Sequence, residues 1–171
     1  QEKNFDPAVG ESLKKIDVSS KYLLSLINDI LDMSKAESGQ ITLHPEPYSK
    51  KDAQEYITAV IAPLCEEKKI AFTEELAIPE DPLPLLDKLR INQILFNLLS
   101  NAVKFTPEKG QVELQVHAEV TLENKLAITI VVKDNGIGMS PEFQKVLFNP
   151  FTQEERSDQV TPHQGTGLGM A

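Results

Sequence analysis

Asn97, Asn101 and Lys104 recur at spacings of four and three residues, which places two carboxamides and an ammonium on one face of any helix that holds them. An amide oxygen is a hard donor suited to Mg²⁺, an ion that keeps several waters and shares itself with phosphates, and a lysine supplies those phosphates with a point charge. A solvated polar face accounts equally well for the spacing alone. Three further blocks carry possible chemistry. Asp134-Asn135-Gly136-Ile137-Gly138-Met139 follows an apolar run, so its carboxylate could accept from an exocyclic amine while its glycines let the backbone approach a planar ring; Asp-Asn-Gly is also an ordinary turn sequence. Phe148-Asn149-Pro150-Phe151 offers aromatics that could anchor a loop or touch a ligand. Gly165-Thr166-Gly167-Leu168-Gly169 bares backbone amides where a helix would begin, the arrangement that holds phosphate through unpaired N–H groups, with a flexible linker as the alternative. The signature GxxxxGK[ST] is absent, so any nucleotide must be held another way.

The elements that position these blocks are legible from periodicity. Leu13, Ile16, Leu23, Ile27 and Ile30, with Ser20 and Ser34, form a heptad pattern that Leu24 and Leu31 widen. It predicts a helix over 11–38, about 42 Å long at 1.5 Å per residue, stopped by Gly39. Its apolar stripe needs a partner. Pro45 and Pro47 mark an extended linker, and a second helix starts at a Ser49 cap with Asp52 in its first turn. Its face reads Ala53, Tyr56, Ile57, Val60, Ile61, Leu64, with Pro63 expected to kink it. Ile70 to Leu76 reads as a strand, and Pro79, Pro82 and Pro84 make a stiff loop. Asp87 to Lys104 returns to helical spacing through Ile91, Ile94, Leu95, Leu98 and Ala102, with Asp87 as N-cap. Gln111 to Val120 and Leu126 to Val132 read as strands joined near Asn124, the second apolar enough to be expected at the centre of its sheet. Ser140-Pro141-Glu142 opens a short helix, and 149–164 reads as a lid.

Composition narrows the functional classes. With 171 residues, 40% of them hydrophobic and 25% charged, the chain can bury one sizeable core and carry an appendage. A net charge of −9 with scattered Lys and Arg argues against a nucleic-acid partner, since phosphate neutralisation needs basic patches. An anionic ligand would therefore rely on local dipoles and a metal. The single cysteine, Cys65, allows no internal disulfide and reads as a buried small hydrophobe. No stretch approaches the ~18 apolar residues of a membrane span.

Ambiguous singly, the four blocks are specific in their order. An Asn-rich helix, an apolar strand ending in DxGxG, paired phenylalanines and GTGLG together resemble the catalytic domain of sensor histidine kinases, in a superfamily that includes gyrase, the Hsp90 chaperones and the MutL repair proteins. The asparagine box matches Asp87-Lys88-Leu89-Arg90 and Asn97 to Lys104, the first glycine box Asp134 to Gly138, the phenylalanine box Phe148 to Phe151, and the second glycine box Gly165 to Gly169. Upstream, Ser19 to Lys35 resembles the second helix of the family's dimerisation and phosphotransfer hairpin.

The resemblance implies an α+β fold, a two-layer sandwich with a mixed sheet covered by helices on one face, preceded by a long helix. Residues 1–44 would be the second hairpin helix and linker, and 45–171 the ATP-binding domain. It implies Asn97 on Mg²⁺ beside the phosphates of ATP, Asn101 and Lys104 on those phosphates, and Asp134 on the adenine amine. Phe105, Ile137 and Met139 would line the base pocket, Gly167, Leu168 and Gly169 would offer amides to the phosphate chain, and Gly136, Gly138, Phe151, Gly165 and Thr166 would also belong to the nucleotide site. It further implies a response-regulator receiver domain and a second copy of the hairpin as partners, within the cytoplasmic portion of a membrane-anchored sensor. In related ATPases a glutamate one turn before the first asparagine activates water; here Gln93 stands there and cannot take a proton. The family's acceptor histidine is expected before Gln1, and its last helix and strands after Ala171. His44, His117 and His163 fall in a linker, a strand and the lid, none of them a phosphoacceptor position. The fragment is therefore expected to bind nucleotide weakly and not to autophosphorylate.

Overall fold

The computed structural model describes residues 7–121, 123, 125–154 and 167, which divide into two compact units. The first holds helix α1 (Pro7–Glu37), 31 residues long, together with 148–154 and Gly167. The end of α1 is capped as expected: Gly39 at φ 65° turns left-handed, its amide reaches the Ala36 carbonyl at 3.1 Å, and the Gln40 amide reaches that of Lys35 at 2.9 Å. Within this unit the heptad residues Leu13, Ile16, Leu23, Ile27 and Ile30 are exposed.

The second unit spans Leu43–Leu147. Two-residue strands β1 (Glu46–Pro47) and β3 (Leu85–Leu86) pair antiparallel. Between them, helix α2 (Lys50–Tyr56) begins in a full capping box, in which the Ser49 hydroxyl accepts from the Asp52 amide and the Asp52 carboxylate accepts from the Ser49 amide. The helix then widens into a π-helical stretch (Ile57–Ile61) before resuming as α3 (Ala62–Glu67). Pro63 thus falls in the first turn of α3 rather than kinking a continuous helix. A proline's missing N–H costs little in a first turn, and the π-stretch absorbs the change of register.

Strand β2 (Ala71–Ala77), helix α4 (Lys88–Phe105), strand β4 (Gln111–Val120), strand β5 (Leu126–Asp134) and the one-turn helix α5 (Pro141–Gln144) complete the unit. Asp87 caps α4 through the Arg90 amide at 3.1 Å, and Ser140 caps α5 through that of Phe143 at 3.2 Å. The sheet order is β2-β4-β5: β2 runs parallel to β4 with Ala71 opposite Gln111, and β5 runs antiparallel with Asp134 opposite Val112. A parallel pair needs a crossover, and α4 lies within it. The turn expected at Asn124 lies partly outside the described residues, though the flanking Thr121 amide bonds the Lys125 carbonyl at 2.7 Å.

The core is one layer of helices on one face of this mixed sheet. Val112, Leu114 and Val116, alternate residues of β4, are buried in one cluster with Ile57, Ile61, Leu95, Leu99, Ala102 and Val103, and Ala118 on the same face is buried too. Full burial of a side chain such as Leu99 contributes roughly 1.5–3 kcal/mol. The central strand among the described residues is β4, not β5. Ile128, Ile130 and Val132 pack on the core from alternate positions, while on the other face Thr129 and Lys133 are exposed and Val131 is half-buried, so only one face of β5 packs on this core despite its apolar run. No helix among the described residues is long and apolar enough to cross a membrane.

Candidate functional site

Helix α4 positions the amide-bearing residues. Its stripe Leu95, Leu99, Ala102, Val103 is buried in the core, which leaves Asn97, Asn101 and Lys104 half-buried along the flank. Neither carboxamide hydrogen-bonds to another described residue. The Lys104 ammonium stands 4.9 Å from the ring centroid of Phe105, and burial depresses its pKa from the ordinary lysine value.

The far side is the loop leaving β5. Asp134 is the last residue of that strand rather than the first beyond it. Its Oδ1 accepts from the Gly136 amide at 2.9 Å, while no described residue bonds its Oδ2. Asn135 is tied twice to β4: its Oδ1 accepts from the Gln111 amide at 2.7 Å, and its own amide donates to the Gln111 carbonyl at 3.2 Å.

The two sides meet at the end of α4. Ile137 donates its amide to the Phe105 carbonyl at 3.3 Å. A Cβ on Gly136 would lie 2.5 Å from that same oxygen, so only glycine permits the approach. The structure therefore brings Phe105, at the end of α4, against Gly136 and Ile137 of the loop, with Asn101 and Lys104 within the last turn and a half of the same helix. Asn97 lies one turn further back, about 6 Å along the axis from Asn101. Gly138, at φ 65°, and Met139 continue the loop, exposed. Away from these residues lies a small apolar hollow of about 20 Å³, lined by residues including Tyr48, Ala53, Leu86, Ile91, Val116 and Ile130; it is water-sized and exposes no polar surface.

Phe151 and Gly167 belong to the other unit. There a Cβ on Gly167, whose φ is 70°, would sit 2.7 Å from the Phe151 carbonyl carbon, so the phenylalanine block and the last glycine block touch. Gly165, Thr166, Leu168 and Gly169 lie outside the described residues, as does most of the expected lid. Two positioning contacts had no signal in the sequence: the Asn135 side chain that locks the loop to β4, and Lys68, whose ammonium reaches the end of α4 from 35 or more residues away.

Comparison with known proteins agrees with this geometry. Residues 86–171 match the family described as histidine kinase-, DNA gyrase B- and HSP90-like ATPases. The autoinducer 2 sensor kinase/phosphatase LuxQ of Vibrio vulnificus is 37% identical over 164 residues, covering 94% of this chain and 19% of that protein. The sensor protein GacS of Pseudomonas syringae pv. syringae is 37% identical over 171 residues, covering 99% and 18%. The chain thus spans under a fifth of the length of these curated relatives. Among solved structures, full-length ShkA in complex with AMPPNP superposes with a TM-score of 0.73 at 28% identity, covering 98% of this chain and 33% of that one. The chain belongs to the histidine kinase-, DNA gyrase B- and HSP90-like ATPase family.

Proposed function

We propose that this chain holds Mg-ATP at the junction of α4 with the loop after β5 and presents the γ-phosphate to a histidine on a hairpin helix, for relay to a response-regulator receiver domain. The observation that carries the proposal is the Phe105–Ile137 junction, which joins the amide-bearing helix to a loop whose Asp134 carboxylate has one oxygen that no described residue engages. Asp134 Oδ2 accepts from the adenine amine, and Phe105, Gly136, Ile137, Gly138 and Met139 face the base. Asn101 and Lys104 contact phosphates. The carboxamide oxygens of Asn97 and Asn101 have no partner among the described residues, which fits a hard divalent ion, with Asn97 as its ligand. Mg²⁺ in that place neutralises phosphate charge. Phe151, Gly165, Thr166, Gly167, Leu168 and Gly169 are assigned to the same nucleotide on their sequence motifs alone.

Transfer in preference to hydrolysis follows from Gln93. An amide cannot remove a proton from water, so the residues present position and neutralise rather than activate a nucleophile. Domain assignment follows the same reading: 1–44 as the second hairpin helix and linker, 45–171 as the ATP-binding domain, the whole within the cytoplasmic part of a membrane-anchored sensor. Calorimetry with Mg-AMPPNP tests the site. Binding is expected in the chain and lost in Asn97→Ala and Asp134→Ala; unchanged affinity in both variants would remove the proposal.

The exposed apolar stripe of α1 favours a second reading, a dimerisation module with a vestigial nucleotide site. It is separated from the first by the same titration, because a vestigial site gives no nucleotide heat while self-association persists.

A further inference from the structure

Every helix ends with four carbonyls that have no partner inside it, and at α4 all four are accounted for. That of Ala102 accepts from the Thr106 amide at 3.0 Å, and that of Phe105 from the Ile137 amide at 3.3 Å. The two between them, Val103 and Lys104, accept from one group, the Lys68 ammonium, at 2.8 and 2.9 Å. Its third proton goes to the carbonyl of Thr106 at 2.7 Å. An ammonium has three donors and all three are used. Lys68 is itself the C-cap of α3, so its charge lies at the negative ends of two helices.

We propose that Lys68 is a positioning residue for the nucleotide site: its tripod fixes the last turn of α4 and thereby the Phe105 carbonyl on which the Gly136–Ile137 loop is seated. The inference rests on the nucleotide-site reading above. The clamp acts at a particular place. Thr106 is buried, and its hydroxyl has no hydrogen-bond partner among the described residues, so this side chain does not anchor the helix end. If the Lys68 ammonium leaves, three carbonyls lose a charge-assisted bond and the last turn is free to fray, carrying Lys104 and Phe105 with it. Lys69 makes a useful contrast, since it is exposed and, among the described residues, its ammonium pairs with Glu108 alone, at 3.7 Å.

The test compares Lys68→Met with Lys69→Met in the whole chain, using two readouts: affinity for Mg-AMPPNP and hydrogen exchange at the Ile137 amide. Lys68→Met is expected to weaken AMPPNP about tenfold and to speed exchange at Ile137 while protection in β4 is kept. Lys69→Met should change neither. If Lys68→Met fails to fold, Lys68→Gln, which keeps part of the stem and an amide donor, is judged by the same readouts. AMPPNP binding and Ile137 exchange both unchanged in the Lys68 variant would overturn the inference and leave the functional reading standing. An unsubstituted chain that does not bind AMPPNP would instead remove the functional reading, and the clamp would then stand or fall on Ile137 exchange alone, faster in Lys68→Met supporting it and unchanged or slower overturning it.

Discussion

Gly136 sits against the carbonyl of Phe105 so closely that a Cβ would lie 2.5 Å from the oxygen and 2.8 Å from Asp134 Oδ1. The first glycine block is thus sterically fitted to the end of the asparagine helix. Any side chain at this position separates the two halves of the site.

Gly136→Ala accordingly tests the junction. The methyl must push the loop off Phe105, break the Ile137 amide bond and turn the Asp134 carboxylate. Overpacking of this kind costs about 1–3 kcal/mol of stability. The larger expected effect is on ligand: AMPPNP affinity falls by at least about tenfold in calorimetry, since Asp134 and Phe105 no longer face one another. Affinity within twofold of the parent chain would show that the junction does not shape the site.

Much of this arrangement was legible because local chemistry and tertiary structure agree. The caps Ser49, Asp87 and Ser140, the Gly39 stop and the strand 111–120 all fall where the residues predict, since each is decided within a turn or two of chain. Misreadings arose where neighbours decide. The run Ile128 to Val132 looks central, yet its place is set by pairing, and only β4 lies beside it among the described residues. Pro63 looks like a kink, but the π-stretch ahead of it moves it into a first turn. Lys68 had no signature at all, because its partners lie at Val103, Lys104 and Thr106. The same long-range logic hid the Asn135 clamp.

Lys69 offers a prediction about stability alone. It closes α3 with φ 56°, its amide bonding the Glu66 carbonyl at 3.0 Å and the Ile70 amide bonding that of Cys65 at 2.8 Å. This is the left-handed stop that glycine fills without steric cost. Its ion pair with Glu108 is exposed and contributes little. Lys69→Gly should raise stability by about 0.5–1 kcal/mol in urea titration, the relief of strain exceeding the added chain entropy. A destabilised variant would mean that the pair with Glu108 outweighs the backbone term.

Two groups contribute at opposite ends of the pH range of the fold. Hydrogen bonds from Lys88 and Ser49 hold the Asp52 carboxyl well below the usual carboxylate range, so its contribution is present above about pH 4 and is lost as pH falls below that. At the other end, burial pushes the Tyr48 phenol up to about 12, with Asp52 and Tyr56 adding to the effect. Because that value is raised, its contribution is complete below about pH 10 and disappears as pH rises through about 12. Asp52→Asn should flatten the acid arm of a stability–pH curve, and Tyr48→Phe the alkaline arm. The second variant should also cost about 1 kcal/mol at neutral pH through the lost bond to Asn92 at 3.1 Å. Arms that keep their slopes in these variants would place the titration elsewhere.

The stripe on α1 predicts self-association. Leu23 is 58% exposed, Ile27 53% and Ile30 47%, at the three- and four-residue spacings of a heptad seam. Each such side chain gains roughly 1.5–3 kcal/mol on burial, so a seam of several supports a dimer only when a second helix covers it. Sedimentation equilibrium of the whole chain is expected to show a concentration-dependent dimer. Ile27→Glu should shift it to monomer by at least about a hundredfold in dissociation constant, because symmetry places two carboxylates in one apolar seam. AMPPNP affinity should not change, since none of the residues assigned to the nucleotide lies on α1. A chain that stays monomeric at high concentration before any substitution would mean that the stripe needs the other helix of a hairpin before it can pair.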